Sequence, residues 1–127
     1  MAVKFKVVEK GEPGVQGGGT KQFYAQAALQ GEANLEQLTH SIEKISTVSG
    51  ADIRAVLYAL VDVIKDELSN GRIVRIGDLG SFRVSLRSEG RPAAAEVSAG
   101  VIKGARFLFT PGSLLKQTLK SLRYQKA

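Results

Sequence analysis

The sequence predicts an α+β fold, with strands at the N-terminus, two helices in the middle, and strands again before a short last helix. Three observations carry this reading. VKFKVV (Val3 to Val8) alternates with period two, and two apolar stripes at helical spacing lie between Leu35 and Leu68. RIVRIGDLGSFRV, from Arg72 to Val84, sets branched and aromatic residues on either side of a glycine-bounded turn. A chain of 127 residues, 43% of them hydrophobic, is long enough to bury one ordinary core.

In VKFKVV, Val3, Phe5 and Val7 fall on one face and Lys4 and Lys6 on the other, the pattern of a half-buried strand. GEPGVQGGG (Gly11 to Gly19) reads as a flexible loop. TKQFYAQAA (Thr20 to Ala28) can return as a second strand, which makes residues 1–31 a strand or hairpin extension. Residues 32–127 then form the main domain. Its first helix begins at Asn34, whose side chain can cap the free amides of the first turn, with Gln37 three residues on. The apolar residues Leu35, Leu38, Ile42, Ile45 and Val48 make one helical stripe.

Ser49 and Asp52 repeat the cap spacing for a second helix. Its stripe (Ile53, Val56, Leu57, Leu60, Val61, Ile64 and Leu68) is broad enough to face more than one partner. Asn70-Gly71 ends it, because glycine takes the left-handed conformation that follows many helices. Past the turn, Phe82, Val84 and Leu86 alternate with Arg83, Ser85 and Arg87, so one strand face is apolar and the other cationic. SEGRPAAAEVSAGVIKG is small and polar with little to bury, and predicts an arm over about residues 88–104. ARFLFT (Ala105 to Thr110) returns with Phe107 and Phe109 on one face and Arg106 and Leu108 on the other. After Pro111-Gly112, Ser113 is placed to cap a final helix carrying Leu114, Leu115, Leu119 and Leu122, with Lys116, Lys120 and Arg123.

The net charge of +6 is unevenly distributed. Residues 1–71 hold seven Lys/Arg against nine Asp/Glu, a net −2; residues 72–127 hold eleven against three, a net +8. A region so unbalanced suits a polyanionic partner, since uncompensated cations otherwise only repel one another. A basic soluble surface is the simpler account of the charge alone. There is no apolar run of bilayer length and the charged start MAVKFKVVEK is no signal peptide, so no membrane partner and a cytoplasmic location are expected. Without cysteine there is neither a disulfide nor a thiolate metal site.

Catalytic constellations are lacking. GVQGGGTK has glycines, but a phosphate loop needs lysine followed by Ser/Thr at a helix start, and here Thr20 precedes Lys21 and a strand-like QFY. His40 is the sole histidine and belongs on a solvated helix position. Glu36, Glu43, Asp62, Asp66 and Glu67 fall opposite the apolar stripes as solvated charge. Phe23 and Tyr24 could stack on bases, though a strand core or a dimer contact explains them more simply. No nucleophile, base and oxyanion site come together, so neither an enzyme nor a cofactor or small-molecule substrate is expected.

Helix-turn-helix, then NGRIVRIGDLGSFRV, then an arm, then FTPGSLLKQTLK, resembles the bacterial histone-like HU and integration-host-factor family. It resembles most the HU-related branch that adds an N-terminal strand segment. The resemblance spans residues 32–127 for the common core and the whole chain for the branch. Its motifs are Gly80-Ser81-Phe82 and the run from Phe109 to Lys116. It implies an HU-like fold: an intertwined homodimer with a helical base, a three-stranded saddle sheet per chain, and β-arms that follow the minor groove of double-stranded DNA. On that resemblance Gly80 lets the backbone turn closely and Phe82 plugs the dimer core. Arg83, Arg87 and Arg106 would sit on the saddle, Arg91 and Lys103 on the arm, and Lys116 and Lys120 beside the DNA flanks.

The sequence departs from the family at the arm. An arginine-asparagine-proline tip is expected, and the chain has Gly90-Arg91-Pro92-Ala93 with Glu89 and Glu96 nearby. Pro92 is a wedge between base pairs or a proline that stiffens a turn. Asp78 replaces a glycine in the turn. The reading favoured by these residues is an architectural, largely non-sequence-specific DNA-binding protein of the nucleoid that neutralises phosphates and bends DNA. The alternatives are a structural dimer or protein-interaction module with weak or lost DNA binding, and an RNA-binding protein.

Overall fold

The computed structural model describes residues 1–127. In chain order its elements are β1 (Val3–Lys10), β2 (Gln22–Ala27), α1 (Leu35–Ile45), α2 (Gly50–Ser69), β3 (Val74–Ile76), β4 (Gly80–Ser88), β5 (Ile102–Pro111), α3 (Ser113–Lys120) and β6 (Tyr124–Lys126). They fall into two compact units, residues 1–34 with 118–127, and residues 35–117, with the boundary inside α3. Each unit has a three-stranded sheet of its own, where chain length alone suggested a single core.

In the first unit β1 is the central strand. β2 pairs with it antiparallel, Phe5 opposite Ala27 and Lys10 opposite Gln22. The loop between them holds a 3-10 turn at Gln16–Gly18. β6, which no sequence pattern marked, pairs with β1 in parallel, Val3 opposite Tyr124. The Val3 N–H donates to the Arg123 carbonyl at 2.8 Å and the Ala127 N–H to the Phe5 carbonyl at 2.9 Å. Alternation places Val3, Phe5 and Val7 on one face with Ala25, Ala27 and Tyr124, and Lys4, Lys6 and Lys10 on the other. Phe23 and Tyr24, expected in a core or a dimer contact, are exposed within this chain.

The second unit begins with α1, directly after Asn34. This helix stops at Ile45, short of the Val48 that its stripe reaches, where the Val48 N–H donates to Ser46 Oγ at 3.3 Å. A serine side chain that offers the backbone a local partner competes with continued helix. Ser49 caps α2 as expected, accepting from the Asp52 N–H at 3.3 Å. At the other end the Arg72 N–H donates to the Glu67 carbonyl at 3.1 Å and the Gly71 N–H to the Leu68 carbonyl at 3.0 Å. Gly71, at φ +77°, closes the helix in this double-bonded left-handed cap. α1 and α2 pack together, with Thr39, Ile53 and Leu68 buried.

β3, β4 and β5 form an antiparallel sheet in that order. The three-residue turn 77–79 is closed by the Leu79 N–H donating to the Ile76 carbonyl at 2.9 Å. Gly80 is buried at φ +138°. A Cβ there would collide with the Thr110 carbonyl oxygen and lie 2.9 Å from Phe109 Cε1. The Gly112 N–H donates to the Leu79 carbonyl at 3.1 Å, so the end of β5 clasps the turn. Phe82 pairs with Phe109, ring centroids 5.0 Å apart and planes tilted by 44°.

The extended arm expected over 88–104 is not what the chain forms. The β4–β5 ladder shifts register after Arg87 and ends with Ser88 opposite Ile102. Beyond it the chain turns through two short 3-10 segments, Ala94–Glu96 and Ala99–Val101. The Glu89 N–H closes this loop on the Val101 carbonyl at 2.9 Å, and Val101 is buried. The segment's Ala, Gly and Ser residues supply no alternating apolar row to continue a ribbon, whereas one valine can be enclosed by a compact loop. At α3 the Lys116 N–H donates to the Gly112 carbonyl at 2.9 Å, so Gly112 takes the cap position expected of Ser113.

Gly80→Ala should lower the unfolding free energy by roughly 2–4 kcal/mol through strain and collision. Gly71→Ala should cost only about 1 kcal/mol, because nothing lies near its Cβ position and only φ is unfavourable. Urea denaturation of both variants checks the order; equal losses would mean that the clasp at Gly80 contributes nothing.

Candidate functional site

The strand registers decide which cations share a surface. Arg75 stands opposite Ser81, Arg83 opposite Leu108, Arg106 opposite Ser85 and Arg87 opposite Gly104. Because side chains alternate across a strand, these four arginines occupy one face of the sheet, with Ser81, Ser85, Leu108 and Thr110 between them. Phe82, Val84, Leu86, Phe107 and Phe109 occupy the opposite face. Arg83 and Arg87 are both diagonal neighbours of Arg106, at a spacing on the order of 7–8 Å between backbones.

All four arginines are exposed and none forms an ion pair. The cationic face therefore carries no internal counter-charge and no stabilising bond of its own. Arg87 and Arg106, with Gly104 and Ala105, line a cavity of about 250 Å³. Gly104 brings no side chain to it, and Arg87 Nη2 lies 3.7 Å from where a Cβ on Gly104 would stand; arginine side chains carry the forked donors that suit a phosphate or carboxylate oxygen pair.

The other expected site residues lie elsewhere. Arg91 and Lys103 both pair with Glu89, at 2.8 Å and 3.7 Å. Lys103 is at the register shift and has no partner residue across the ladder. Pro92 is exposed, in the bend that leads into the first 3-10 turn. Lys116 and Lys120 are exposed on α3, four residues apart and outside the sheet. Arg75 is the residue that sequence reasoning passed over. Its signal was present, since V-R-I repeats the alternation of F-R-V and a hairpin keeps both on one side. His40 is exposed on α1, and no group of three or more His, Cys, Asp or Glu side chains is placed to hold a metal ion.

A family model described as "HU-HIG: HU domain fused to wHTH, Ig, or Glycine-rich motif" matches residues 1–126. Among solved structures, the fold is similar to that of a protein from Bacteroides vulgatus described as a candidate bacterial DNA-binding protein, with a TM-score of 0.68 and 16% identity. The alignment covers 98% of this chain and 48% of that one, so the chain spans about half the length of its structural neighbour. No functionally curated protein matches the sequence.

Because their guanidinium groups bond to nothing in the chain, Arg75→Ala and Arg83→Ala should each change the unfolding free energy by less than about 0.5 kcal/mol. Chemical denaturation measures this; a loss well above that value would make these residues structural.

Proposed function

Since the chain belongs to the HU-HIG family, in which an HU domain is fused to a wHTH, Ig or glycine-rich motif, we propose that it binds double-stranded DNA as an architectural protein of the nucleoid. The observation that carries this is the face of four unpaired arginines, Arg75, Arg83, Arg87 and Arg106, backed by an apolar face of the same sheet. Phosphates neutralise those cations and release condensed counterions, which supplies affinity without reading bases. Sequence preference is accordingly low. Arg91, Pro92 and Lys103 meet the DNA from the distal loop, with Pro92 placed to wedge at a base step and bend the duplex, and Lys116 and Lys120 meet the flanks.

The working form is a homodimer. On α2, Val56 and Val61 are 64% and 63% exposed, and on the sheet's apolar face Leu86 and Phe107 are 61% and 69% exposed. Apolar area of that extent in a folded chain calls for a cover, and a second copy provides it with the same patch. The open apolar face of the N-terminal sheet, where Phe5, Ala25, Ala27 and Tyr124 line a groove of about 350 Å³, supports a second reading, a protein-interaction role.

Log affinity for duplex DNA should fall linearly with log salt, with a slope of about 3.6 per chain for four phosphate contacts and about 7.2 for the dimer. Arg83→Ala with Arg87→Ala should reduce that slope by about 1.8 per chain, about 3.6 for the dimer, and weaken all duplexes alike. Anisotropy titration measures both; a salt-independent affinity overturns the DNA reading and favours the protein-interaction one. In sedimentation the chain should run as a dimer, and Val56→Asp with Val61→Asp should give a monomer; a wild-type monomer would refute the assembly.

A further inference from the structure

Glu89 sits at the mouth of the distal loop with both oxygens engaged. Its Oε2 accepts from Arg91 at 2.8 Å and its Oε1 lies 3.7 Å from Lys103 Nζ. The two cations come from opposite sides of the loop, Arg91 from the segment that follows β4 and Lys103 from the register shift in β5. Glu89 itself is held by its backbone. Its N–H donates to the Val101 carbonyl at 2.9 Å and its carbonyl accepts from the Ser88 hydroxyl at 2.8 Å. Arg91 is oriented further by its second nitrogen, which donates to the Gly90 carbonyl at 2.9 Å. One carboxylate thus joins two basic side chains, as two oxygens of a single phosphate would.

We infer that Glu89 occupies the place of a phosphate between Arg91 and Lys103, and that it limits how strongly the distal loop grips a nucleic-acid backbone. The inference rests on the DNA-binding reading and goes further, because it assigns the loop's grip to an acidic residue. The three side chains are about 36–53% exposed, so each pair is a surface ion pair worth little and open to displacement. A DNA phosphate that takes the site exchanges one anion for another, and Glu89 then stands beside it as an uncompensated like charge. The loop's two cations therefore contribute less to affinity and to salt dependence than two free cations would. The four arginines of the sheet face have no such competitor.

Glu96 provides the control. It carries the same charge in the same loop and forms no ion pair. Duplex affinity is measured by anisotropy at several salt concentrations for the full chain, for Glu89→Gln and Glu96→Gln, and for Glu89→Gln combined with Arg91→Ala and Lys103→Ala. Glu89→Gln should steepen the slope of log affinity against log salt by about 0.9 for each further phosphate neutralised, and bind about eightfold tighter per phosphate at 0.1 M salt. Glu96→Gln should change the slope by much less, and the tighter binding of Glu89→Gln should vanish once Arg91 and Lys103 are alanine. If the wild type shows its steep salt slope but the two glutamine variants behave alike, or if Glu89→Gln binds no tighter, this inference is overturned and the DNA reading stands. A wild type with no salt dependence overturns both.

Discussion

The register between β4 and β5 is the constraint on which the rest of the second unit depends. Side chains alternate with period two, so a slip of β5 by one residue against β4 would carry Arg106 into the apolar face and bring Phe107 and Phe109 out, away from Phe82. Two features hold the register at the base of the sheet. Gly80 admits the Thr110 carbonyl where any Cβ would collide, and Gly112 bonds back to the turn at Leu79. The Phe82–Phe109 pair then fills the position next to this clasp. A cationic face and an apolar face are two consequences of one backbone arrangement.

That arrangement also explains how so basic a segment is tolerated. Four arginines on one face repel one another, and no ion pair within the chain relieves them. The surface is stable because the opposite face and the clasp hold the strands, and it remains electrostatically unsatisfied until an anion arrives. Arg87 and Arg106, which line one cavity with Gly104 and Ala105, bring two of these unpaired cations together. Uncovered apolar residues on α2 and on the far side of the sheet are the counterpart in hydrophobic terms, and the proposed dimer answers them as the proposed DNA answers the arginines.

The distal loop follows a different logic. Between Ser88 and Ile102 there is no alternating apolar row, so the ladder ends and the chain folds back around Val101. Its cations are few and, unlike those of the sheet, already engaged by Glu89. The chain has thus kept an unscreened cationic sheet and a self-neutralised tip, which places most of the proposed grip on DNA along the sheet and not on the distal loop.

Much of this was legible in the residues themselves. Periodicity determined the α+β class, the strands at VKFKVV and SFRV, and both helices; cap chemistry determined the ends of α2 at Ser49 and Asn70-Gly71. The separation of Arg83 and Arg87 from Phe82 and Val84 was also local, because alternation along one strand needs no partner to define it. Tertiary structure decided what depends on pairing across distance. It brought Arg75 and Arg106 to the face of Arg83 and Arg87, joined Tyr124–Lys126 to β1, and set Glu89 between Arg91 and Lys103. Sequence period specifies which way a side chain points within its own element, but only hydrogen-bonded register between elements determines which side chains become neighbours.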